Sequence, residues 1–253
     1  MSRSIISGGL LRRDLNASWA IAKKDVKIYY LTPPTLMFGI LFPIFMFLSF
    51  AVGRSSTPAA LTPSLLSITM LFSASSIGPA VIPTERRVKT YDRFLSAPIS
   101  QYAIVMGKTL SGFLFSLLIG GIMVIAMLAL FGTTISSIPT LFLGLVLASF
   151  CFSVLGIMLA MFPRENPGDI MLLLNFIRLP LIFISGIFVT VEDLPYWGQV
   201  AASFSPLTYA NDLVRYSYGG ISVHDPLVDA LILILSATVF LMIGKKIDDN
   251  FRK

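Results

Sequence analysis

Six long apolar runs, each bounded by charge or proline, constrain this chain more than any other feature. A membrane-crossing helix needs about 20 predominantly apolar residues. The runs at 35–52, 64–82, 109–131, 140–162, 170–190 and 227–244 have that length. Even the shortest rises roughly 27 Å at about 1.5 Å per residue, close to the hydrocarbon thickness of a bilayer. Of the 253 residues, 13% are charged, about half the share of a soluble domain. The expected fold is an all-α membrane protein: six transmembrane helices in a single domain, residues 1–253.

Orientation follows from the basic residues. All but three of the 19 lie on one side: in the N-terminal arm, the second-to-third connection, the fourth-to-fifth turn and the tail. Arg54 and Arg215 fall on the other side, and Arg178 within a span. Excess Lys and Arg marks the cytoplasmic face, so both termini are expected inside. The net charge of +6 flanks apolar runs, which suits anionic lipid and not nucleic acid. The first thirty residues are interrupted by charge and lack a signal-peptide core, so insertion is expected to use the spans themselves.

Within 10–30, Leu11, Leu15, Trp19, Ala22, Val26 and Tyr29 recur at helical steps opposite Arg12, Arg13, Lys23, Lys24 and Lys27. That pattern predicts an amphipathic helix in the lipid headgroup plane, or one packed on a partner protein. Thr32-Pro33-Pro34 ends it, and Pro43 is expected to kink the first span. Ser73 to Gly78 in the second span, and Ser149, Ser153, Gly156 and Ala160 in the fourth, form small-residue faces suited to close helix packing. The fifth span carries Asn175 and Arg178 one turn apart. They form either a polar face lining a substrate pathway or subunit contact, or an arginine snorkelling to the headgroups. Residues 194–218, with Pro195, Trp197, Pro206, Tyr209 and Arg215, are too apolar and aromatic for a solvated loop. They predict two short re-entrant or surface helices between spans five and six, an ordinary extracellular cap being the alternative.

Catalytic chemistry has no foothold. Gly107-Lys108-Thr109 lacks the earlier glycine of a phosphate loop, since Tyr102 stands there. Cys151 is the sole cysteine and His224 the sole histidine, so no Cys/His metal site can be assembled, and His224 is most simply a surface residue. A channel or secondary transporter working without ATP would show inverted repeats or acidic residues in its spans, and neither is evident.

What stands out is Glu85 to Ser100, the densest island of charge between two apolar runs. It is either a basic loop that fixes orientation or a short polar helix for a soluble partner to grip. Glu85-Arg86-Arg87…Thr90…Ala97-Pro98-Ile99-Ser100 resembles the charged cytoplasmic motif of type-2 permease subunits of ATP-binding-cassette exporters. Lys24-Asp25 with Pro33-Pro34 and Pro43 resembles that family's interfacial helix and first span. Ser185-Gly186-Ile187-Phe188…Leu194-Pro195 resembles the end of its fifth span, and Ser205-Pro206-Leu207-Thr208-Tyr209 with Arg215 its outer helices. Lys89 departs from the pattern, standing where a glycine is usual.

The resemblance implies a permease in a prokaryotic plasma or inner membrane, paired with a second permease chain. It also implies a separate ATPase subunit that carries ATP and magnesium, this chain binding no cofactor itself. Glu85, Arg86, Arg87, Thr90, Asp92, Arg93 and Pro98 would form the coupling region, with the three arginines as ion-pair donors and Glu85 and Asp92 fixing register.

Overall fold

The computed structural model describes residues 2–45 and 61–251, and every regular element among them is helical. Helix α1 (Ser2–Tyr29) is followed by α2 (Pro33–Leu36), which passes directly into a π-helical stretch, Met37–Leu41. There the Phe42 N–H reaches back to the Met37 carbonyl. The wider turn lies just ahead of Pro43, whose ring and missing N–H disturb the ordinary α-helical ladder. The rest of the first expected span, and the start of the turn after it, lie outside the described residues.

The remaining elements are α3 (Thr62–Arg87), α4 (Tyr91–Ser96), α5 (Gln101–Phe131), α6 (Ile138–Ala160), α7 (Pro167–Ile184), α8 (Tyr196–Ser203), α9 (Pro206–Ser217) and α10 (Pro226–Phe251). Their ends follow local chemistry. The Ser100 hydroxyl caps α5 by accepting from the Ala103 N–H at 3.1 Å, and Gly132 ends that helix at φ +59°. Asn166 caps α7 through the Gly168 N–H, with Pro167 in the first helical position.

Among the described residues five helices, α3, α5, α6, α7 and α10, are long and apolar enough to cross a membrane. The chain is accordingly a multi-pass membrane protein. Helix α3 is the axis: every position of its apolar window is buried, and α5, α6, α7 and α9 pack around it. Helices α7 and α10 turn much of their apolar surface outward, through Leu172, Phe176, Phe183, Leu231 and Leu235 among others. A contiguous apolar exterior of this kind is the mark of a lipid-facing surface.

The two small-residue faces meet each other. A Cβ on Gly78 would lie 3.2 Å from the Gly156 backbone, and one on Gly156 would lie 2.3 Å from the Ser75 carbonyl oxygen. Pro79 has no N–H to offer that carbonyl, so α6 comes closest where the ladder of α3 is already open. Ser153 donates to the Thr109 carbonyl at 2.7 Å, and Gly112 of α5 has no room for a Cβ beside Ser153 and Ala74. Helices α3, α5 and α6 therefore touch at backbone distance.

The amphipathic stripe expected on α1 is split by its packing. Leu15 and Trp19 are 63% and 56% exposed, whereas Ser18, Ile21, Ala22 and Asp25 are buried. That buried face rides on α5: Ser18 donates to the Ala103 carbonyl at 2.8 Å, and Gly107 abuts Ser18 and Ile21. The N-terminal part of α5, expected ahead of its span, is thus one continuous helix with it and forms the bed for α1.

Candidate functional site

The charged island folds as the end of α3, a turn and the six-residue α4. Helix α3 stops in a Schellman turn: the Lys89 N–H donates to the Arg86 carbonyl and the Thr90 N–H to the Glu85 carbonyl, each at 2.9 Å. The turn needs a left-handed residue, and Lys89 supplies it at φ +56°, the one non-glycine residue with positive φ among those described. The glycine usual at this place would carry no Cβ penalty there.

Glu85 does not face outward. Its side chain is 1% exposed and lies in a charged quartet with the buried Asp25 of α1 and Lys108 of α5 and the half-buried Lys24 of α1. Lys108 Nζ is 2.7 Å from Glu85 Oε1 and 3.0 Å from Asp25 Oδ2. Lys24 is 2.7 Å from Asp25 Oδ1 and also donates to Glu85. Two cations and two anions balance, which makes their burial tolerable. Burial opposes the Lys24 charge, but the Asp25 and Glu85 carboxylates outweigh it and hold that ammonium above the usual lysine range. Phe94 of α4 covers the quartet, its ring centroid 5.1 Å from Lys24 Nζ and 5.3 Å from Lys108 Nζ. One aromatic side chain thereby ties α4 to α1, α3 and α5.

Arg86 also turns inward. It donates to the Ala160 and Met161 carbonyls at 3.0 and 3.2 Å and to that of Phe162, satisfying the open C-terminal end of α6. The outward face is left to Arg87, Val88, Lys89, Asp92, Arg93, Leu95 and Pro98, all exposed. Thr90 is half-buried, its hydroxyl 3.3 Å from the Glu85 carbonyl. The motif therefore divides into residues that build the turn (Glu85, Arg86, Thr90) and residues that stand free of the bundle (Arg87, Asp92, Arg93, Pro98). Asp14 of α1 accepts from the Ser100 N–H at 3.3 Å, and the Ser100 hydroxyl first, with this backbone bond second, holds its carboxyl below the usual range. Lys245 of α10 donates to the Tyr102 hydroxyl at 2.6 Å. Both ends of the chain are thus tied to this region.

Sequence alone had not marked Phe94, and had weighed Lys108 only within an incomplete phosphate-loop motif. The signal for Lys108 was there, as a lone cation inside an apolar helix. Its partners lie 23 and 83 positions away.

Arg178 does not snorkel. It is fully buried, with Nε 3.0 Å and Nη2 2.6 Å from Ser75 Oγ, and Nη2 2.9 Å from Ser76 Oγ. Its Nη2 also donates to the Phe72 carbonyl at 3.3 Å, and its guanidinium lies 4.6 Å over the Phe72 ring. Asn175 Oδ1 accepts from Nη1 at 3.4 Å. The pair knits α7 to the proline-containing part of α3.

At the other end of the bundle, α9 is nearly all buried among α3, α6 and α10. Tyr209 donates to the Ser203 carbonyl at 2.7 Å, Asn211 accepts from Ser67 of α3 at 3.2 Å, and Pro206 is buried at the first turn. Arg215 is half-buried in the last turn, while Pro195, the N-cap of α8, and Trp197 in its first turn are exposed. His224 is half-buried, one face open and its Nδ1 turned toward Asp212 and Asp229.

Comparison with known proteins bears on this arrangement. The model of the ABC-2 type transporter family matches residues 16–218. The putative transport permease ycf38 of Porphyra purpurea is 27% identical over 199 residues, covering 74% of this chain and 68% of the relative. The inner membrane transport permease YadH of Escherichia coli K12 is 26% identical over 156 residues, 61% of this chain and 60% of its own. The inner membrane transport permease YhhJ of the same strain is 32% identical over 140 residues, 54% of this chain but 37% of that protein.

Proposed function

The chain belongs to the ABC-2 type transporter family and is a membrane permease subunit, and from that premise we propose that residues 85–100 couple it to a separate ATP-binding-cassette ATPase. The observation that carries this reading is the seating of α4. A short helix with Arg87, Lys89 and Arg93 outward is fastened through Phe94 to a quartet shared by α1, α3 and α5. A push on α4 then reaches three helices at once. The partner's closed and open forms must bind the two states of the bundle unequally for ATP to do work.

In this reading Arg87 and Arg93 make ion pairs with the ATPase and Asp92 and Pro98 fix register. Glu85 and Arg86 hold the platform from within. ATP and magnesium sit on the partner, in keeping with a permease family that is not an enzyme family. Six spans cross a prokaryotic inner membrane with both termini in the cytosol; α1 borders the lipid headgroups through Leu15 and Trp19; α8 and α9 re-enter from outside; and two permease chains pair in the lipid. Arg178 and Asn175, bonded within the bundle, act on the pathway by fixing α7 against α3.

The test is reconstitution with the ATPase. Arg87→Glu with Arg93→Glu is expected to lower stimulated ATP hydrolysis at least tenfold while the chain still inserts. Unchanged binding and stimulation would overturn the coupling role.

A further inference from the structure

We propose that Asp212, His224 and Asp229 form a binding site for a single divalent transition-metal ion of the zinc class, at the end of the bundle remote from the charged island. The three residues come from α9, the following loop and the first turn of α10, and one ligand atom from each lies within 4.8 Å of the others. His224 Nδ1 is 3.7 Å from Asp212 Oδ2 and 3.8 Å from Asp229 Oδ1, too long for hydrogen bonds. Around a tetrahedral zinc with bonds of about 2.0–2.1 Å, neighbouring ligand atoms stand roughly 3.3 Å apart, so the two spacings from His224 Nδ1 shorten by a few tenths of an ångström when the site closes.

The second observation is independent of the clustering. Asp229 is fully buried, and no N–H or O–H donor reaches either of its carboxylate oxygens, the neighbouring Asp212 carboxylate being itself an acceptor; His224 Nδ1 is buried and unpartnered as well. A buried carboxylate without a partner is costly, and here its oxygens share the space with an unused imidazole nitrogen. A cation supplies what both lack.

Asp212 is the anchor of the site. Its Oδ2 accepts from the Val223 and His224 N–H groups at 2.9 and 2.8 Å and from Ser222 Oγ at 3.1 Å, which folds the loop back and sets His224 in place. Its Oδ1 accepts from Val223 alone, at 3.0 Å, so a small rotation of the carboxylate would turn that oxygen, in place of the fully bonded Oδ2, to the metal. The Tyr209 ring, 5.3 Å from the imidazole, backs His224 on one side. Two carboxylates and a neutral imidazole match a borderline divalent ion, with the fourth position left to water. Bound metal would join α9 to α10 across a loop that contains Gly219 and Gly220.

The experiment uses the whole chain in detergent, purified without a polyhistidine tag, stripped with a chelator and titrated with Zn²⁺ against a chromophoric competitor. One equivalent is expected to bind, and cobalt in its place should give a visible ligand-field band. Asp229→Asn and His224→Gln should each weaken binding at least tenfold, and Asp225→Asn, an exposed neighbour, should leave it unchanged. Zinc should raise the melting temperature of the parent chain and not that of His224→Gln. The proposal is overturned if the parent binds no stoichiometric zinc, in which case a proton shared between Asp212 and Asp229 accounts for the cluster. It is equally overturned if both variants bind as the parent does.

Discussion

Arg178 donates twice to Ser75 Oγ, from Nε at 3.0 Å and from Nη2 at 2.6 Å, joining α7 to the centre of the bundle. Ser75 and Ser76 also donate to the Leu71 and Phe72 carbonyls, so they keep partners if the arginine is removed. Arg178→Ala should therefore cost about 2–4 kcal/mol, mostly from the cavity and lost packing. Arg178→Met, which fills the volume without a charge to desolvate, should cost under about 1.5 kcal/mol. Unfolding in detergent followed by tryptophan fluorescence would rank them. Should Arg178→Met fold normally yet abolish transport, the guanidinium would have a role in the pathway beyond holding α7.

The quartet predicts strong coupling between distant positions. Lys108→Met leaves Glu85 and Asp25 with Lys24 as their one cation, and should destabilise the chain by about 3–5 kcal/mol. Combining it with Glu85→Gln should restore a large part of that loss. Additive effects in the double-mutant cycle would mean that the two side chains do not interact in the membrane.

Lys89→Gly relieves a left-handed lysine and should stabilise the chain by roughly 1 kcal/mol. Lys89→Val should do the opposite, because a β-branched side chain tolerates positive φ least. Thermal unfolding of the three proteins side by side would show whether the turn carries this strain.

Phe94→Ala separates docking from transmission. The exposed arginines remain, so the ATPase should still co-purify. Stimulation of ATP hydrolysis by the permease should fall severalfold because α4 no longer bears on the quartet. Loss of co-purification instead would place Phe94 in the partner's surface.

Lys89→Cys tests orientation cleanly, since Cys151 is the sole native cysteine and is buried. In intact cells the new thiol should react with a membrane-permeant maleimide and resist an impermeant one. Modification by the impermeant reagent would invert the topology.

The five spans within the described residues were legible because long apolar runs leave a backbone little choice but to be helical. The close-packing face of α6 was legible too, since Ser149, Ser153 and Gly156 recur at helical steps; that Ser149 and Ser153 would meet α5 and Gly156 meet α3 was not. Glu85 was not: a run of charges looks uniformly solvated in sequence, and its partners Lys24 and Lys108 lie 61 and 23 positions away. The inward bonds of Arg86 were hidden for the same reason, its acceptors being backbone carbonyls at and just beyond the end of α6. On α1 the buried side includes Ser18 and Asp25, polar residues that a hydrophobic stripe passes over. Their partners, the Ala103 carbonyl and Lys108, explain the choice of face.

The glycine seam between α3 and α6 limits how the bundle can change shape. With Gly156 against the Ser75 carbonyl and only the Ile157 side chain laid over Gly78, the two helices have little lubricating layer and slide only by breaking backbone contact. Together with α5, whose Gly112 meets the Ala74 carbonyl as closely, they form the keel of the molecule, so any opening for cargo has to come from the planks around it: α1 on one flank, α7 and α10 on the other.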